Sequence, residues 1–137
     1  MVASEKTTMP VIESQAIMRA SPASEATSPP VDLAHLRRYT MGDRELELEI
    51  LGLFVQQLPI TITALRDAPS EREWGRAAHT LKGSARAVGA WSLATIAESA
   101  ERLSPMPDTT VRGAVVRRLE EAASAAQQYI ASLGQAS

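Results

Sequence analysis

The chain has 137 residues, of which 45% are hydrophobic and 4% aromatic, and its formal net charge is −2 at pH 7. This length suits one small domain with an aliphatic, alanine-rich core. The charge excludes a general attraction to nucleic acid or acidic membranes, and the lack of cysteine excludes disulfides, thiolate metal sites and cysteine nucleophiles. Neither a signal-peptide pattern nor an apolar run of membrane-spanning length, roughly 20 residues, is found. We therefore expect a soluble, cytoplasmic protein.

Apolar residues recur at helical spacing from Asp32 to the C-terminus, and no alternating run typical of strands occurs. This pattern predicts an all-α fold. Residues 1–30 mix Ser, Thr, Ala, Glu and Pro, which predicts a flexible N-terminal tail and a helical domain over residues 31–137. A transient helix at Ile17 and Met18 is the alternative for part of the tail.

The first two predicted helices begin at aspartate caps. Asp32 caps a short helix that extends through Arg38, and Asp43 caps a long helix that runs to about Arg66. Pro59 predicts a kink within the long helix because proline cannot donate a backbone hydrogen bond, and a full break is the alternative.

The third and fourth helices are predicted to form a hairpin. Ser70 and Glu73 fit a capping box at the start of the third helix, which ends near Val88 because Gly89 can adopt the left-handed conformation. The tight turn at Gly89 makes the fourth helix, Ala90 to Leu103, antiparallel to the third.

The last helix is predicted to begin after Asp108 or Thr109 and to end at Gly134. Its predicted core stripe is Val111, Val115, Leu119, Ala122, Ala126, Tyr129 and Leu133. Four longer helices with short connections predict an antiparallel four-helix bundle, with the short additional N-terminal helix laid across one end.

One histidine of the third helix lies in an unusual neighbourhood. Helical spacing places beside His79 the residues Gly75, Arg76, Lys82, Gly83 and Arg86. The apolar residues lie on the opposite side, so the imidazole is expected to face solvent. An exposed imidazole beside cations can accept a phosphoryl group. A helical glycine costs about 0.5–1 kcal/mol relative to alanine, which suggests that Gly83 and Gly75 give a partner access.

Glu101 is the predicted neighbour of this histidine across the hairpin. Counting through the turn at Gly89 places Glu101 level with His79 on the adjacent helix. A carboxylate that accepts the proton of one ring nitrogen would fix the tautomer and leave the other nitrogen free to react. A solvent-facing glutamate without this role is the alternative.

The segment Ala78-His79-Thr80-Leu81-Lys82-Gly83-Ser84-Ala85, followed by Gly89-Ala90 and Leu93, resembles a histidine-containing phosphotransfer (HPt) domain. The similarity extends from Asp32 to roughly Leu103. It implies a four-helix bundle that takes a phosphoryl group from a receiver-domain aspartate and passes it to another receiver in a His-Asp phosphorelay. His79 is then the phosphoacceptor, Lys82 the charge support and Gly83 the access point, supported by Gly75, Arg76, Ser84, Arg86 and Glu101.

The resemblance also implies the partners and cofactors. Receiver domains and an upstream hybrid histidine kinase would be the partners, and Mg²⁺ would belong to the receiver. This chain would hold no cofactor or metal and would have no kinase activity of its own. We expect a monomer that docks transiently through an apolar surface near the histidine, on the second helix and the edge of the third. The initial methionine and the lack of a fused kinase or receiver favour a free-standing carrier, with an excised domain as the alternative.

Three other functions compete with this interpretation. A helical adaptor could bind receivers without accepting phosphate, but it would be expected to lose His79 or Lys82. A nucleic-acid module could use the basic residues near His79, but the net charge is negative and no aromatic residues are interleaved with them. A metal site at His79 and Glu101 would have only two ligands, flanked by cations. The second histidine, His35, lacks such neighbours and is expected to be an ordinary surface or core residue.

Overall fold

The computed structural model describes residues 29–103 and 105–135, so the predicted flexible tail lies outside the described residues except for its last two prolines. Over the described ranges the chain forms helices and no strand, which confirms the all-α class. The helices are α1 (Leu33–Thr40), α2 (Arg44–Arg66), α3 (Glu71–Val88), α4 (Trp91–Glu101) and α5 (Thr109–Gln135). The boundary between tail and domain stays a prediction.

Four helices begin at capping side chains that the sequence predicts. Each cap accepts a hydrogen bond of 3.0–3.2 Å from the backbone N–H three residues later, which the first turn of a helix leaves without a partner. The caps are Asp32, Asp43, Ser70 and Asp108. Helix α1 ends at Thr40, two residues later than predicted.

The four long helices pack in ring order, with α2 on α3, α3 on α4, α4 on α5 and α5 on α2, while α1 contacts α2 and α3. At the start of α2, Arg44 donates to the carbonyl of Leu133 near the end of α5, at 2.9 Å. Further along α2, Pro59 shares a groove with Glu120, which lies earlier in α5. Helices α2 and α5 therefore run in opposite directions, and α5 is diagonal to α3 in the ring.

Contacts at both ends hold helix α1 against the rest of the domain. The Arg37 guanidinium donates to both carboxylate oxygens of Glu47, at 2.9 and 3.3 Å, and the Glu47 side chain is almost fully buried. Because a buried carboxylate needs a paired cation, this contact fixes the start of α2 against α1. At the other end of α1, the N–H of Asp32 donates to the carbonyl of Gly89 at 2.9 Å.

Helix α2 continues through Pro59 from Arg44 to Arg66, so the predicted alternative of a full break is wrong. By length and composition alone, this 23-residue helix could cross a membrane. No such segment was expected from the sequence; the difference arises because the polar residues of α2 after Glu49 are all uncharged until Arg66. Five of its side chains lie in the bundle core, so this single helix is weak evidence for a span. They are Leu51, Phe54, Leu58, Ile62 and Leu65.

The buried stripe of α5 differs from the predicted one. Its buried residues are Val116, Leu119, Ala123, Ala126 and Ile130. Of the predicted stripe only Leu119 and Ala126 are buried; Val111 is 43% exposed, and the others pack at the edge of the core. They are Val115, Ala122, Tyr129 and Leu133. Two apolar stripes lie side by side on α5, and packing against α2 and α4 buries the one that contains Ile130. Helix α5 also continues past Gly134 to Gln135.

The hairpin turn between α3 and α4 requires glycine. Gly89 has a φ of 83°, and the N–H of Ala90 donates to the carbonyl of Ala85 at 2.8 Å, as in a Schellman motif. A Cβ at Gly89 would lie 2.7 Å from the carbonyl oxygen of Asp32. The left-handed conformation and the close approach of α1 therefore both exclude a side chain here.

We expect Gly89→Ala to lower the free energy of unfolding by about 1–3 kcal/mol, because alanine is strained in this conformation and would push α1 away. Gly113→Ala is the control: Gly113 is helical with open space around its Cα, so alanine should add about 0.5–1 kcal/mol. Chemical denaturation measures both. Equal stability of the Gly89→Ala variant and the wild type would contradict the proposed constraint.

Candidate functional site

His79 lies in the middle of α3 with 70% of its side chain exposed. The buried residues of α3 are Trp74, Ala77, Ala78, Leu81, Ala85 and Val88. All of them except Ala78 lie on the side of the helix opposite the imidazole, as the helical spacing predicts. The ring therefore projects into solvent, where another protein can reach it.

Glu101, the last residue of α4, contacts both His79 and Lys82. Its Oε2 lies 2.9 Å from Nδ1 of His79, and its Oε1 lies 2.6 Å from Nζ of Lys82. The hydrogen bond from Lys82, followed by that from His79, lowers the pKa of Glu101 below its ordinary value. The carboxylate is therefore ionised at neutral pH and can only accept hydrogen bonds. It follows that Nδ1 carries a proton in this contact, and Nε2 bears the lone pair of the neutral ring.

Lys82 lies on the histidine face but is not a free cation. Its side chain is only 16% exposed, and its ammonium contacts the Glu101 carboxylate. Partial burial of this pair makes the attraction stronger than between two fully exposed charges. Lys82 contacts the carboxylate that lies beside the imidazole, so its positive charge influences His79 through Glu101.

The two arginines of the histidine face differ in their contacts. Arg86 lies 3.5 Å from the carboxylate of Glu98, which also accepts from Arg102 at 3.2 Å. Arg76 is exposed and forms no ion pair with another of the described residues. Arg76 is thus the unpaired cation one turn before His79. Glu98 was missed by the sequence analysis, although it lies three residues before Glu101 and therefore on the same face of α4.

Open space surrounds the two glycines near His79. An added Cβ at Gly83 or Gly75 would meet no atom within 4 Å, so packing within the described residues does not require glycine at either position. Gly113 is equally open, so what distinguishes Gly83 and Gly75 is their place beside His79. Ser84 is half-buried and lies about 140° around the helix from His79, so it is not on the histidine face.

A groove between α2 and α3 runs beside the histidine face. Ile60 and Ala64 line it from α2, and Arg76 and Thr80 line it from α3. Ile60 is 60% exposed. Leu53, which lies seven residues earlier on the same face of the helix, is 57% exposed. A docking surface on these helices is predicted from the sequence, but Ile60 is not identified there; the seven-residue spacing outside the buried stripe was the available signal.

His35 lies on α1 among other side chains. Its ring meets Trp91 edge-on at a centroid distance of 4.8 Å and Tyr39 at 5.5 Å, and its Nδ1 lies 3.2 Å from the Arg38 guanidinium. This is packing at the surface of α1, without the carboxylate and lysine contacts of His79. Within the described residues, no group of three or more candidate ligands could hold a metal ion.

The contacts of Glu101 predict a pH-dependent stability. Because folding lowers the pKa of Glu101, its contacts stabilise the protein above the ordinary carboxyl pKa, about 4.3, and this stabilisation is lost as the pH falls through the lower folded value. We expect Glu101→Gln to lower the thermal unfolding midpoint at neutral pH, and the difference from wild type to disappear in acid. Melting curves from about pH 3 to pH 8 measure this.

Glu98→Gln is the matched control, since it removes a carboxylate from the same face of α4 that contacts arginines and not His79. It should cause a smaller change in the midpoint at neutral pH, because its partners are exposed. Identical melting of the Glu101→Gln variant and the wild type over the whole pH range would show that the Glu101 contacts add no stability.

The Hpt domain model matches residues 49–133, more than half of the chain. The matched range contains all of α3 and α4 and most of α2 and α5. No curated protein and no solved structure matches the chain. Hpt domains are histidine-containing phosphotransfer modules of two-component signalling, which interact with receiver domains and histidine kinases as phosphocarriers rather than autonomous enzymes. On this match, which includes His79 and its contacts, the chain belongs to the Hpt domain family.

Proposed function

We propose that this chain is a phosphoryl carrier in a multistep His-Asp phosphorelay. His79 accepts the phosphoryl group from a receiver-domain aspartate and passes it to the aspartate of another receiver. One observation carries the proposal: Nδ1 of the exposed imidazole lies 2.9 Å from the Glu101 carboxylate, which also contacts Lys82 and has a lowered pKa. This contact leaves Nε2 as the nucleophile.

The transfer is a displacement at phosphorus. The lone pair of Nε2 forms the N–P bond while the bond between phosphorus and the aspartate oxygen breaks, and its electron pair leaves with the receiver carboxylate. Nδ1 keeps its proton, so the phosphorylated ring bears a positive charge that Glu101, at 2.9 Å, balances. Transfer to the second receiver is the reverse displacement, in which the imidazole leaves with the N–P electron pair.

The receiver supplies the rest of the chemistry in this proposal. Its aspartate and its bound Mg²⁺ activate the phosphoryl group, so the carrier holds no cofactor and has no kinase activity of its own. Arg76, which has no ion-pair partner among the described residues, places a positive charge one turn before His79, which suits an acidic receiver surface and the anionic phosphoryl group. Lys82 contributes through Glu101 in the unphosphorylated state.

Docking is proposed to involve the groove between α2 and α3. Ile60 and Thr80 line this groove beside the histidine, and Ile60 offers an exposed apolar contact. A relay intermediate must release each partner, so a modest and transient interface is expected. A cytoplasmic, monomeric carrier and an upstream hybrid histidine kinase belong to the same proposal.

We expect His79→Gln to abolish phosphoryl acceptance and to leave the fold intact, because the side chain is mostly exposed. The assay mixes purified protein with phosphorylated receivers and Mg²⁺ and measures acid-labile, base-stable phosphate. His35→Gln is the control and should be labelled like the wild type, since His35 lacks these contacts. Receiver binding without label on the wild type would instead support a helical adaptor.

We expect Gly83→Glu to fold, because the space around Gly83 is open, but to lose receiver binding and phosphoryl acceptance, because a charged side chain would stand between His79 and its partner. Gly113→Glu is the matched control on α5, diagonal to α3, and should keep both activities. Circular dichroism checks folding, and titration with a receiver measures binding. Normal phosphoryl acceptance by the Gly83→Glu variant would show that a partner does not need glycine at this position to reach His79.

A further inference from the structure

Glu101 stands where a helix is intrinsically least ordered. It is the last residue of α4, and the last four carbonyls of a helix have no partners within it, so terminal residues fray. Yet its carboxylate must keep contact with His79 on a different helix, at 2.9 Å. Something outside α4 is needed to hold the end of this helix against α3.

Trp74 of α3 makes such a contact with the end of α4. Its side chain is fully buried, and its indole N–H donates to the carbonyl oxygen of Ala100 at 2.8 Å. This carbonyl belongs to the planar peptide unit that joins Ala100 to Glu101, so the hydrogen bond fixes the backbone immediately before the Glu101 Cα. The Ala100 carbonyl also accepts from the N–H of Leu103 at 3.2 Å, so the buried indole N–H is the group that depends on this contact, and a buried donor without a partner is costly.

A cation from α5 contacts the face of the indole ring. The Arg112 guanidinium lies 5.4 Å from the ring centroid of Trp74, and it also donates to the carbonyl of Ala68 between α2 and α3. The ring therefore has contacts from α5 on its face and from α4 at its N–H. Small residues allow the close approach of α3 and α4, since Ala78, Ala97 and Ala100 are fully buried.

From this geometry we propose that Trp74 is a positioning residue for phosphoryl transfer: its hydrogen bond to Ala100 sets Glu101 so that Nδ1 of His79 is held and Nε2 is free to react. The proposal rests on the proposed function for its effect on transfer. Its effect on the histidine tautomer can be measured without any phosphoryl donor.

The chain contains a matched control at the other end of α4. The indole N–H of Trp91 donates to Oδ2 of Asp32 at 3.0 Å, so Trp91→Phe also deletes an indole hydrogen bond, in this case an exposed one to a side-chain carboxylate. Trp91 is the first residue of α4, whereas Glu101 is the last. Comparing the two variants therefore shows whether an effect comes from losing any indole hydrogen bond or from losing the one next to Glu101.

The first readout is the tautomer of His79 from its imidazole ¹⁵N signals, recorded at about pH 8. Wild type and Trp91→Phe should show Nδ1 protonated and Nε2 unprotonated. Trp74→Phe should shift toward the tautomer mixture of a free histidine. Both variants are also made with Gly113→Ala, which is expected to offset lost stability, and circular dichroism checks that they are folded.

The second readout is the rate of phosphoryl transfer from a receiver. Trp74→Phe should slow it roughly tenfold, by analogy with the lower end of the effect of losing a hydrogen bond that orients a metal-binding histidine. If Trp74 acts through Glu101, the same substitution should have no further effect in a Glu101→Ala background.

Unchanged His79 signals in Trp74→Phe, equal shifts in both phenylalanine variants, or additive losses of rate in the double variant would each overturn the positioning role. If no receiver labels the wild type, the proposed function fails, while the tautomer comparison still decides the role of Trp74.

Discussion

The geometry of the histidine site depends on one shared carboxylate. Glu101 accepts from His79 with one oxygen and from Lys82 with the other, and the two contacts lower the pKa of this carboxylate below its ordinary value. An ionised acceptor determines which ring nitrogen holds the proton, and therefore which one can react. The lysine stabilises the carboxylate, and the carboxylate orients the imidazole. Substitution of any of the three is expected to disturb the other two.

The bundle positions this carboxylate through the hairpin of α3 and α4. The left-handed Gly89 sets the turn and brings α1 against it, so a side chain there would strain the hairpin. Eleven residues later, the Trp74 hydrogen bond fixes the end of α4 at Ala100. The hairpin is thus held at the turn by the close approach of Asp32 to Gly89, and at its open end by the buried hydrogen bond from Trp74. The His79 ring is exposed on helices that these contacts hold together, which suits the proposed carrier role.

The sequence predicts well those features that local chemistry determines. Helix starts follow from Asp and Ser caps, the hairpin follows from Gly89, and the exposure of His79 follows from the apolar residues opposite it. Counting through the turn also places Glu101 level with His79. The buried stripe of α5 could not be predicted, because two apolar stripes one residue apart compete and only packing against α2 and α4 decides between them. The engagement of Lys82 by Glu101 and the bond from Trp74 depend on the distance between helices, which residue spacing within one helix does not give.

The most direct test of the central claim is the position of the phosphoryl group on the imidazole. Uniformly ¹⁵N-labelled protein is phosphorylated by a receiver, and the coupling between phosphorus and the ring nitrogens is measured by NMR. The account predicts coupling to Nε2 of His79, with Nδ1 still protonated and bonded to Glu101. Phosphate on Nδ1 of His79, or on another residue, would contradict it, because the carboxylate contact would then not select the reacting nitrogen.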